Sequence, residues 1–206
     1  MNYKLLIYFA KKGRKMRDKI RGVLLGAAIG DALGMPAEAL KPSTIKKYYG
    51  WIRGYVPPKQ ETGTWHRLKA GEWTDDTQLT IAITKSIIDK KCIDFNDIKI
   101  KHIIEYNKNK INWGKATRNG CEKMISGVPW SLSGREGSAG NGPPMKMSSV
   151  GVLYGFDIID KFDLVYACSN IGKMTHGDNR AIISGIIQAY LVGCSIKSKN
   201  LFKDIS

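Results

Sequence analysis

The sequence predicts an all-α fold, a compact single domain of helices with two long loops. In several segments apolar residues recur every three or four positions, which is typical of amphipathic helices, whereas the alternation typical of strands is scarce. The chain has 206 residues and is 43% hydrophobic, enough for one domain with a substantial core. We therefore expect helices packed against helices, with no linker that divides the chain.

The first predicted helix, at about residues 19–33, has a row of glycines at a spacing of four. The row consists of Gly22, Gly26, Gly30 and Gly34. An interior glycine costs roughly 1 kcal/mol against alanine in a helix, so the repetition suggests that another backbone packs very close to this face. A predicted helix at residues 179–192 has a second stripe of small residues, namely Ala181, Gly185 and Ala189. Both stripes predict tight packing of helix on helix.

Further helical patterns lie between these two helices. They cover approximately residues 77–90, 97–108, 115–126 and 162–172. Residues 42–70 and 127–144 are instead rich in glycine, proline, serine and aromatic residues, which predicts long loops. Long loops in a compact domain are more often functional than idle.

The net charge of +15 favours polyanionic partners, from nucleic acid to a ligand that contains a pyrophosphate. Much of the charge lies early, so we interpret residues 1–18 as a basic N-terminal extension and residues 19–206 as the domain. A lysine-rich solvated surface would explain the same charge without any partner. Nucleic acid is disfavoured because the basic residues are not interleaved with stacking aromatic residues.

The cysteines and histidines are scattered. The four cysteines form no CxxC motif and the three histidines do not cluster with them, which disfavours both a zinc site and a disulfide framework. The apolar stretch at residues 5–10 is too short to span a bilayer and is followed by basic residues rather than by a cleavage site. We therefore expect a cytoplasmic protein without a membrane segment.

The most informative stretch is the run from Gly71 to Thr77, GEWTDDT, at the start of a predicted helix. Thr74, Asp75 and Asp76 place three oxygen side chains side by side. One interpretation is a helix cap, in which such oxygens accept hydrogen bonds from free N–H groups. The other is part of a site for Mg²⁺ or Mn²⁺, since hard cations prefer carboxylate and hydroxyl oxygens. The residues alone leave both interpretations open.

Four segments in order together resemble the ADP-ribosylglycohydrolase family, enzymes that remove ADP-ribose from modified proteins. They are RGVLLGAAIGDALGMPAEAL at 21–40, GEWTDDTQLTIAI at 71–83, GNGPPMKMSSVGVLY at 140–154 and THGDNRAIISGIIQAYL at 175–191. The resemblance covers most of residues 19–194. It implies a compact all-α fold with two divalent ions, Mg²⁺ or Mn²⁺, at the bottom of an ADP-ribose cleft.

The resemblance also implies roles for acidic residues. Thr74, Asp75 and Asp76 match the metal-binding Thr-Asp-Asp of the family, and Asp76 is our candidate for the catalytic base. Glu38 matches a carboxylate near the metal or the ribose, and we include it among the catalytic candidates. Asp31 matches the family's Gly-Asp pair, where a structural role in bonding a helix end and a catalytic role both stay open.

The ligand-binding candidates lie in the last two matching segments. They are Gly140, Asn141, Gly142, Met145 and His176. The glycines would let backbone N–H groups approach a phosphate, although Asn-Gly also favours an ordinary turn. Pro143 and Pro144 depart from the family pattern, and each removes an N–H donor. Lys146 stands where the family commonly has arginine, which keeps the charge but loses the bidentate fork.

Members of the family usually continue to a second acidic segment, Asp-x-Asp-Thr, which completes the metal site. Nothing after Ser184 matches it, so the resemblance implies a C-terminally incomplete domain and an incomplete two-ion site. The leading hypothesis is a metal-dependent hydrolase of ADP-ribosylated protein side chains or small molecules. The alternatives are a non-catalytic ADP-ribose-binding or structural relative and a nucleic-acid binder that uses residues 1–18.

Overall fold

The computed structural model describes residues 13–59, 67–108 and 113–198, and it confirms the all-α prediction. The α-helices are α1 (Gly13–Gly34), α2 (Pro42–Tyr49), α3 (Asp75–Lys90), α4 (Phe95–Lys108), α5 (Lys115–Ile125), α6 (Gly142–Met145), α7 (Ser148–Gly155), α8 (Lys161–Lys173) and α9 (Asn179–Lys197). Short 3₁₀ turns occupy Met35–Ala37 and Trp130–Leu132. The extended structure in these residues is limited to one isolated bridge between Arg135 and His176.

The main core lies between α3, α4, α7 and α8. It is formed by fully buried aliphatic side chains, among them Leu79, Ile83, Ile98, Val150, Leu164 and Ile171. The predicted helical stripe of α3 is therefore the face that this core buries. Burial of each such side chain contributes about 1.5–3 kcal/mol relative to exposure.

Helix α1 begins earlier than the sequence pattern predicted. Residues 13–18, which we assigned to the basic extension, form its first turns, and Met16 packs with Val152, Phe156 and Ile196 in a small second cluster. Residues 1–12 lie outside the described part of the chain. By length and composition alone, Gly13–Ala37 is apolar enough to cross a membrane, a test that core helices also pass.

The small-residue stripe of α9 is packed tightly, as predicted. A Cβ atom at Gly151 of α7 would lie 2.6 Å from the carbonyl oxygen of Ala189. At Gly185, a Cβ atom would lie 3.1 Å from Pro143 and 3.5 Å from Met147. A side chain at Gly151 would thus collide with the backbone of α9, and one at Gly185 would crowd α6.

The same prediction was wrong for α1. At Gly22, Gly26, Gly30 and Gly34, an added Cβ would meet nothing within 4 Å in the described structure. A groove of about 470 Å³ instead runs between Gly22 and Gly26 of α1 and Gln188 and Val192 of α9. The glycine row borders open space here rather than a neighbouring backbone.

The two predicted loops contain more structure than expected. Residues 42–49 form α2, in which Pro42 occupies the first helical turn, where proline needs no N–H partner. The second loop includes the 3₁₀ turn Trp130–Leu132 and most of α6. Residues 60–66 of the first loop lie outside the described residues. Composition predicted loops, but proline and glycine can also begin a short helix.

Candidate active site

A cleft of about 590 Å³ collects every residue that the sequence analysis assigned to a site. These residues are Glu38, Thr74, Asp75, Asp76, Gly140, Asn141, Gly142, Met145 and His176. Its lining can be divided by chemistry into two groups. We call Asp31, Glu38, Asp75 and Asp76 the carboxylate wall, and Gly140, Asn141, Gly142 and His176 the histidine wall. The fold thus places the predicted residues together, while their roles stay predictions.

Asp31 holds the carboxylate wall together by joining the end of α1 to the start of α3. Its carboxylate accepts hydrogen bonds from the backbone N–H groups of Thr74 (2.9 Å) and Thr77 (3.2 Å). It also accepts from the hydroxyls of Thr74 (2.8 Å) and Thr77 (2.6 Å). Of the two roles left open for Asp31, the structure shows the bond to a helix end. A negative charge at a helix N-terminus is also favoured by the helix dipole.

Thr74 is the N-cap residue of α3, and its side chain accepts from the N–H of Asp76 at 3.5 Å. Capping is therefore carried by Thr74 and Asp31. Asp75 is 4% exposed, and one of its oxygens accepts from the N–H of Gly114 at 3.1 Å. Asp76 lies beside it with an intermediate exposure. The two carboxylates are thus held next to each other at the floor of the cleft.

The clustering of carboxylates makes ionisation unfavourable. Burial, together with the charges of Glu38 and Asp31, raises the pKa of Asp75 to about 6, although the Gly114 hydrogen bond opposes the rise. Burial and then the charge of Asp75 raise the pKa of Asp76 to about 7. Raised pKa values of this origin mean that the wall would gain stability from a positive charge between its carboxylates.

The donor set fits a hard divalent cation in type. Asp75 and Asp76 supply carboxylate oxygens, and Thr74 supplies a hydroxyl, although that hydroxyl already donates to Asp31. Within the described ranges, no group of three or more His, Cys, Asp or Glu side chains is close enough to hold a metal ion. Mg²⁺ is often bound through only one or two carboxylates and keeps several waters. These residues therefore fit such an ion, with water completing its shell.

The histidine wall is defined by close contacts between glycines and one imidazole. A Cβ atom at Gly142 would lie 2.1 Å from Cε1 of His176, and one at Gly140 would lie 3.3 Å from its Nε2. We expected these glycines to bring N–H groups close to a phosphate. Their immediate steric role is instead to admit the His176 ring, which is 2% exposed although it lines the cleft.

The two prolines that depart from the family pattern have a structural place. Pro143 and Pro144 lie in the first turn of α6, where backbone N–H groups have no helical acceptor anyway. Pro143 also contacts the small stripe of α9 at Gly185. Pro143 therefore contributes to packing, and neither proline breaks a helix hydrogen bond.

The segment around His176 is anchored by backbone contacts. A Cβ at Gly120 would lie 2.4 Å from the carbonyl oxygen of Met174, and one at Gly134 would lie 2.6 Å from that of Lys173. Arg135 N–H donates to the carbonyl oxygen of Thr175 at 3.1 Å. Burial, with the charges of Lys146 and Arg135, lowers the pKa of His176 to about 4, so its ring is neutral at pH 7.

Sequence reasoning missed two cations of the cleft, Lys115 and Arg135. Lys115 begins α5, directly after the Gly114 that binds Asp75. Arg135 lies in the second predicted loop, and an isolated arginine in a glycine- and serine-rich segment was the only available signal. Both add positive charge to a cleft that also contains the acidic residues of the carboxylate wall.

Comparison with known proteins gives the same family as the sequence motifs. The profile of the ADP-ribosylglycohydrolase family matches residues 12–205. The ADP-ribosyl-[dinitrogen reductase] glycohydrolase of Rhodospirillum rubrum is 32% identical over 134 residues, which cover 65% of this chain and 44% of that protein. The ADP-ribosylarginine hydrolase Tri1 of Pseudomonas putida is 29% identical over 144 residues, 66% of this chain and 36% of that one.

A solved structure described as an ADP-ribosylglycohydrolase-related protein complex superposes with a TM-score of 0.72 and 26% identity. The match covers 90% of this chain and 59% of that chain. The chain spans about half the length of the curated relatives it matches, from 57% for an uncharacterised protein of Archaeoglobus fulgidus to 36% for Tri1. From the matched profile, which extends over nearly all of the sequence, the chain belongs to the ADP-ribosylglycohydrolase family.

Proposed function

We propose that this protein is a divalent-metal-dependent hydrolase that removes ADP-ribose from modified protein side chains or related conjugates. The observation that carries the proposal is that a carboxylate wall and a histidine wall line one cleft. Relatives named as ADP-ribosylarginine hydrolase and as ADP-ribosyl-[dinitrogen reductase] glycohydrolase support the choice of reaction.

The charges of the two walls favour one orientation of the ligand. A pyrophosphate would be repelled by Asp75 and Asp76 and attracted by Arg135, which forms a backbone bridge with His176. We therefore place the pyrophosphate near His176 and Arg135. This leaves the ribose with its scissile bond near the carboxylate wall.

Cleavage of the glycosidic bond proceeds through an oxocarbenium-like state, which needs a base for water and stabilisation of positive charge. Asp75 and Asp76 would hold the ions, and Asp76 would also take the proton of the attacking water. When bound there, Mg²⁺ or Mn²⁺ supplies charge that polarises ribose hydroxyls and acidifies water. Glu38, at the rim, would contact the ribose or the entering substrate.

Release of free ADP-ribose tests the proposal. The 206-residue chain, supplied with Mn²⁺ or Mg²⁺, is incubated with protein substrates that carry ADP-ribose on arginine or on serine. We expect release from at least one linkage and a loss of about 100-fold or more in Asp76→Asn, the range of general-base contributions. Asp89→Asn is the matched control because Asp89 lies on the same helix and pairs with Lys101.

A non-catalytic relative would behave differently. It is favoured by the small number of acidic ligands that gather in the described residues. Such a protein would bind ADP-ribose equally well with and without chelator and release none from either linkage. That pair of results would replace the hydrolase proposal with a binding function.

A further inference from the structure

We propose that Lys146 is a positioning residue for His176: it orients the hydroxyl of Thr175 toward Nδ1 of the imidazole, so that the ring carries its proton on Nε2 as a hydrogen-bond donor for the ligand. The identity of that ligand rests on the proposed function. The positions of the protons do not rest on it, and they can be measured in the protein without a ligand.

Lys146 is a buried cation without a carboxylate partner. It is the C-cap residue of α6 and its side chain is 0% exposed. Among the described residues, no acidic oxygen lies within ion-pair distance of its Nζ. Nζ instead donates to Oγ1 of Thr175 at 3.0 Å and to Nε2 of His102 at 3.4 Å. Both acceptors are neutral groups.

The proton on His102 can be assigned from its other contact. Nδ1 of His102 lies 2.9 Å from the carbonyl oxygen of Ile98, which can only accept, so Nδ1 carries the proton. Nε2 then has a free lone pair for the Lys146 ammonium. The strongly lowered pKa of His102, caused by burial and then by Lys146, keeps this ring neutral.

Thr175 transmits the orientation to His176. Its Oγ1 accepts from Lys146, which leaves two arrangements. Either the hydroxyl donates to Nδ1 of His176 at 2.9 Å, or Nδ1–H donates to Oγ1 and the hydroxyl donates to the carbonyl oxygen of Gly172 at 3.4 Å. Hydroxyl hydrogen bonds are strongest near 2.7–2.8 Å and weaken with distance. The first arrangement gives the hydroxyl proton the shorter bond, and the ammonium favours it because it strengthens donation by the hydroxyl and disfavours a second N–H donor at the same oxygen.

Steric contacts fix the plane of the ring. Gly142 and Gly140 approach the imidazole so closely that even a methyl group would collide with it or crowd it. A ring flipped by 180° would fill nearly the same volume, but it would place Cδ2 instead of Nδ1 against the Thr175 hydroxyl and lose that hydrogen bond. With Nδ1 occupied by the Thr175 hydroxyl, the neutral ring has its proton on Nε2.

Burial of the ammonium indicates a role other than stability. Burial lowers the pKa of Lys146 to about 8, opposed by Cys121 and Asp75, so the group is still mainly charged at pH 7. An apolar side chain of similar volume often replaces a buried charge without loss of stability, or with a gain. The buried lysine is instead explained by what its charge does to Thr175 and His176.

Nitrogen-15 NMR of the histidine rings tests the proposal, because it reports which ring nitrogen carries the proton. His176→Gln assigns the signal of His176 in the 206-residue chain. We expect His176 to be protonated on Nε2 and His102 on Nδ1, opposite tautomers in one spectrum.

Thr175→Val should convert His176 to a mixture of tautomers and weaken ADP-ribose binding about tenfold. Thr175→Ser, the matched control, should keep both within twofold.

Lys146→Met provides the second arm. We expect it to have an unchanged or higher melting temperature, a mixed tautomer at His176 and weaker ADP-ribose binding, a combination that a purely structural lysine would not give. Should this variant fail to fold, the Thr175 pair decides the question. A wild-type His176 protonated on Nδ1, or a Thr175→Val variant that keeps the Nε2 proton, would overturn the proposal. Wild-type protein that binds no ADP-ribose would instead refute the proposed function.

Discussion

The two walls of the cleft are stabilised in opposite ways. The carboxylate wall is held by hydrogen bonds from α3 to Asp31, yet its acidic groups repel one another and have raised pKa values. The histidine wall is held by close steric contact, with glycines against the ring of His176. The carboxylate wall therefore depends chiefly on its charges and hydrogen bonds, whereas the histidine wall depends also on shape.

The largest expected effect is on the frame of the carboxylate wall. Asp31→Ala removes a carboxylate that accepts four hydrogen bonds from the start of α3. Hydrogen bonds to charged groups contribute about 1.5–3 kcal/mol each, but the loss of Asp31 also relieves its repulsion of Asp75 and Asp76. We therefore expect a net loss of about 3 kcal/mol in the free energy of unfolding. Urea denaturation measures it, with Asp18→Ala on the exposed face of the same helix as the control.

The second prediction concerns shape in the histidine wall. Gly142→Ala would place a methyl group 2.1 Å from Cε1 of His176, and we expect a loss of about 2 kcal/mol, within the range for overpacking. Gly26→Ala should instead stabilise α1 by about 0.5–1 kcal/mol, because nothing lies within 4 Å. The double variant Gly142→Ala/His176→Ala should regain most of the loss, and a loss that persists would place the collision elsewhere.

The third prediction is a pH dependence that the carboxylate wall contributes. Asp75 and Asp76 have pKa values of about 6 and 7 when folded, against an ordinary value of 3.8. Between about pH 4 and pH 7 they make the folded state bind more protons than the unfolded state, so their contribution to stability falls as pH rises. The lowered pKa values of His102 and His176 act in the opposite direction, so we compare the wild type with Asp75→Asn/Asp76→Asn in chelator. The gain in melting temperature of this variant should be several degrees larger at pH 8 than at pH 5, and a gain that does not grow with pH would contradict the raised pKa values.

The smallest effect is expected from neutralising one acid. Asp75→Asn keeps an oxygen for the N–H of Gly114 and removes one repelling charge. In chelator at pH 7.5 it should gain about 1 kcal/mol, or about 2–4 °C in melting temperature for a chain of this size. A lower melting temperature would mean that Asp75 acts chiefly as a helix cap.

The sequence predicted the helices and the positions of the site residues. It predicted less well what the glycines pack against. Asp75 and Asp76 became site candidates through the resemblance of their motif to the family, and the stripe of α9 was predictable because small residues repeat. The α1 glycines show the same pattern but border open space in the described structure. Periodicity identifies a smooth face and does not say what covers it.

The histidine wall was harder to predict because it depends on contacts between distant segments. Nothing local in the sequence indicates that Gly142 is shaped around His176, or that Lys146 points inward to Thr175. An expectation of a surface cation is reasonable for any lysine, since buried charges are rare. Only the three-dimensional arrangement shows the buried set of His102, Lys146 and Thr175 behind the cleft.

A crystal structure of the chain with ADP-ribose and Mn²⁺ tests the central claim most directly. We predict that the ligand lies in the cleft between the two walls, with its pyrophosphate toward His176 and Arg135 and its ribose and a metal ion toward Asp75 and Asp76. Ligand bound in the reverse orientation, or in the groove beside Gly22 and Gly26 while the cleft stays empty, would contradict the account.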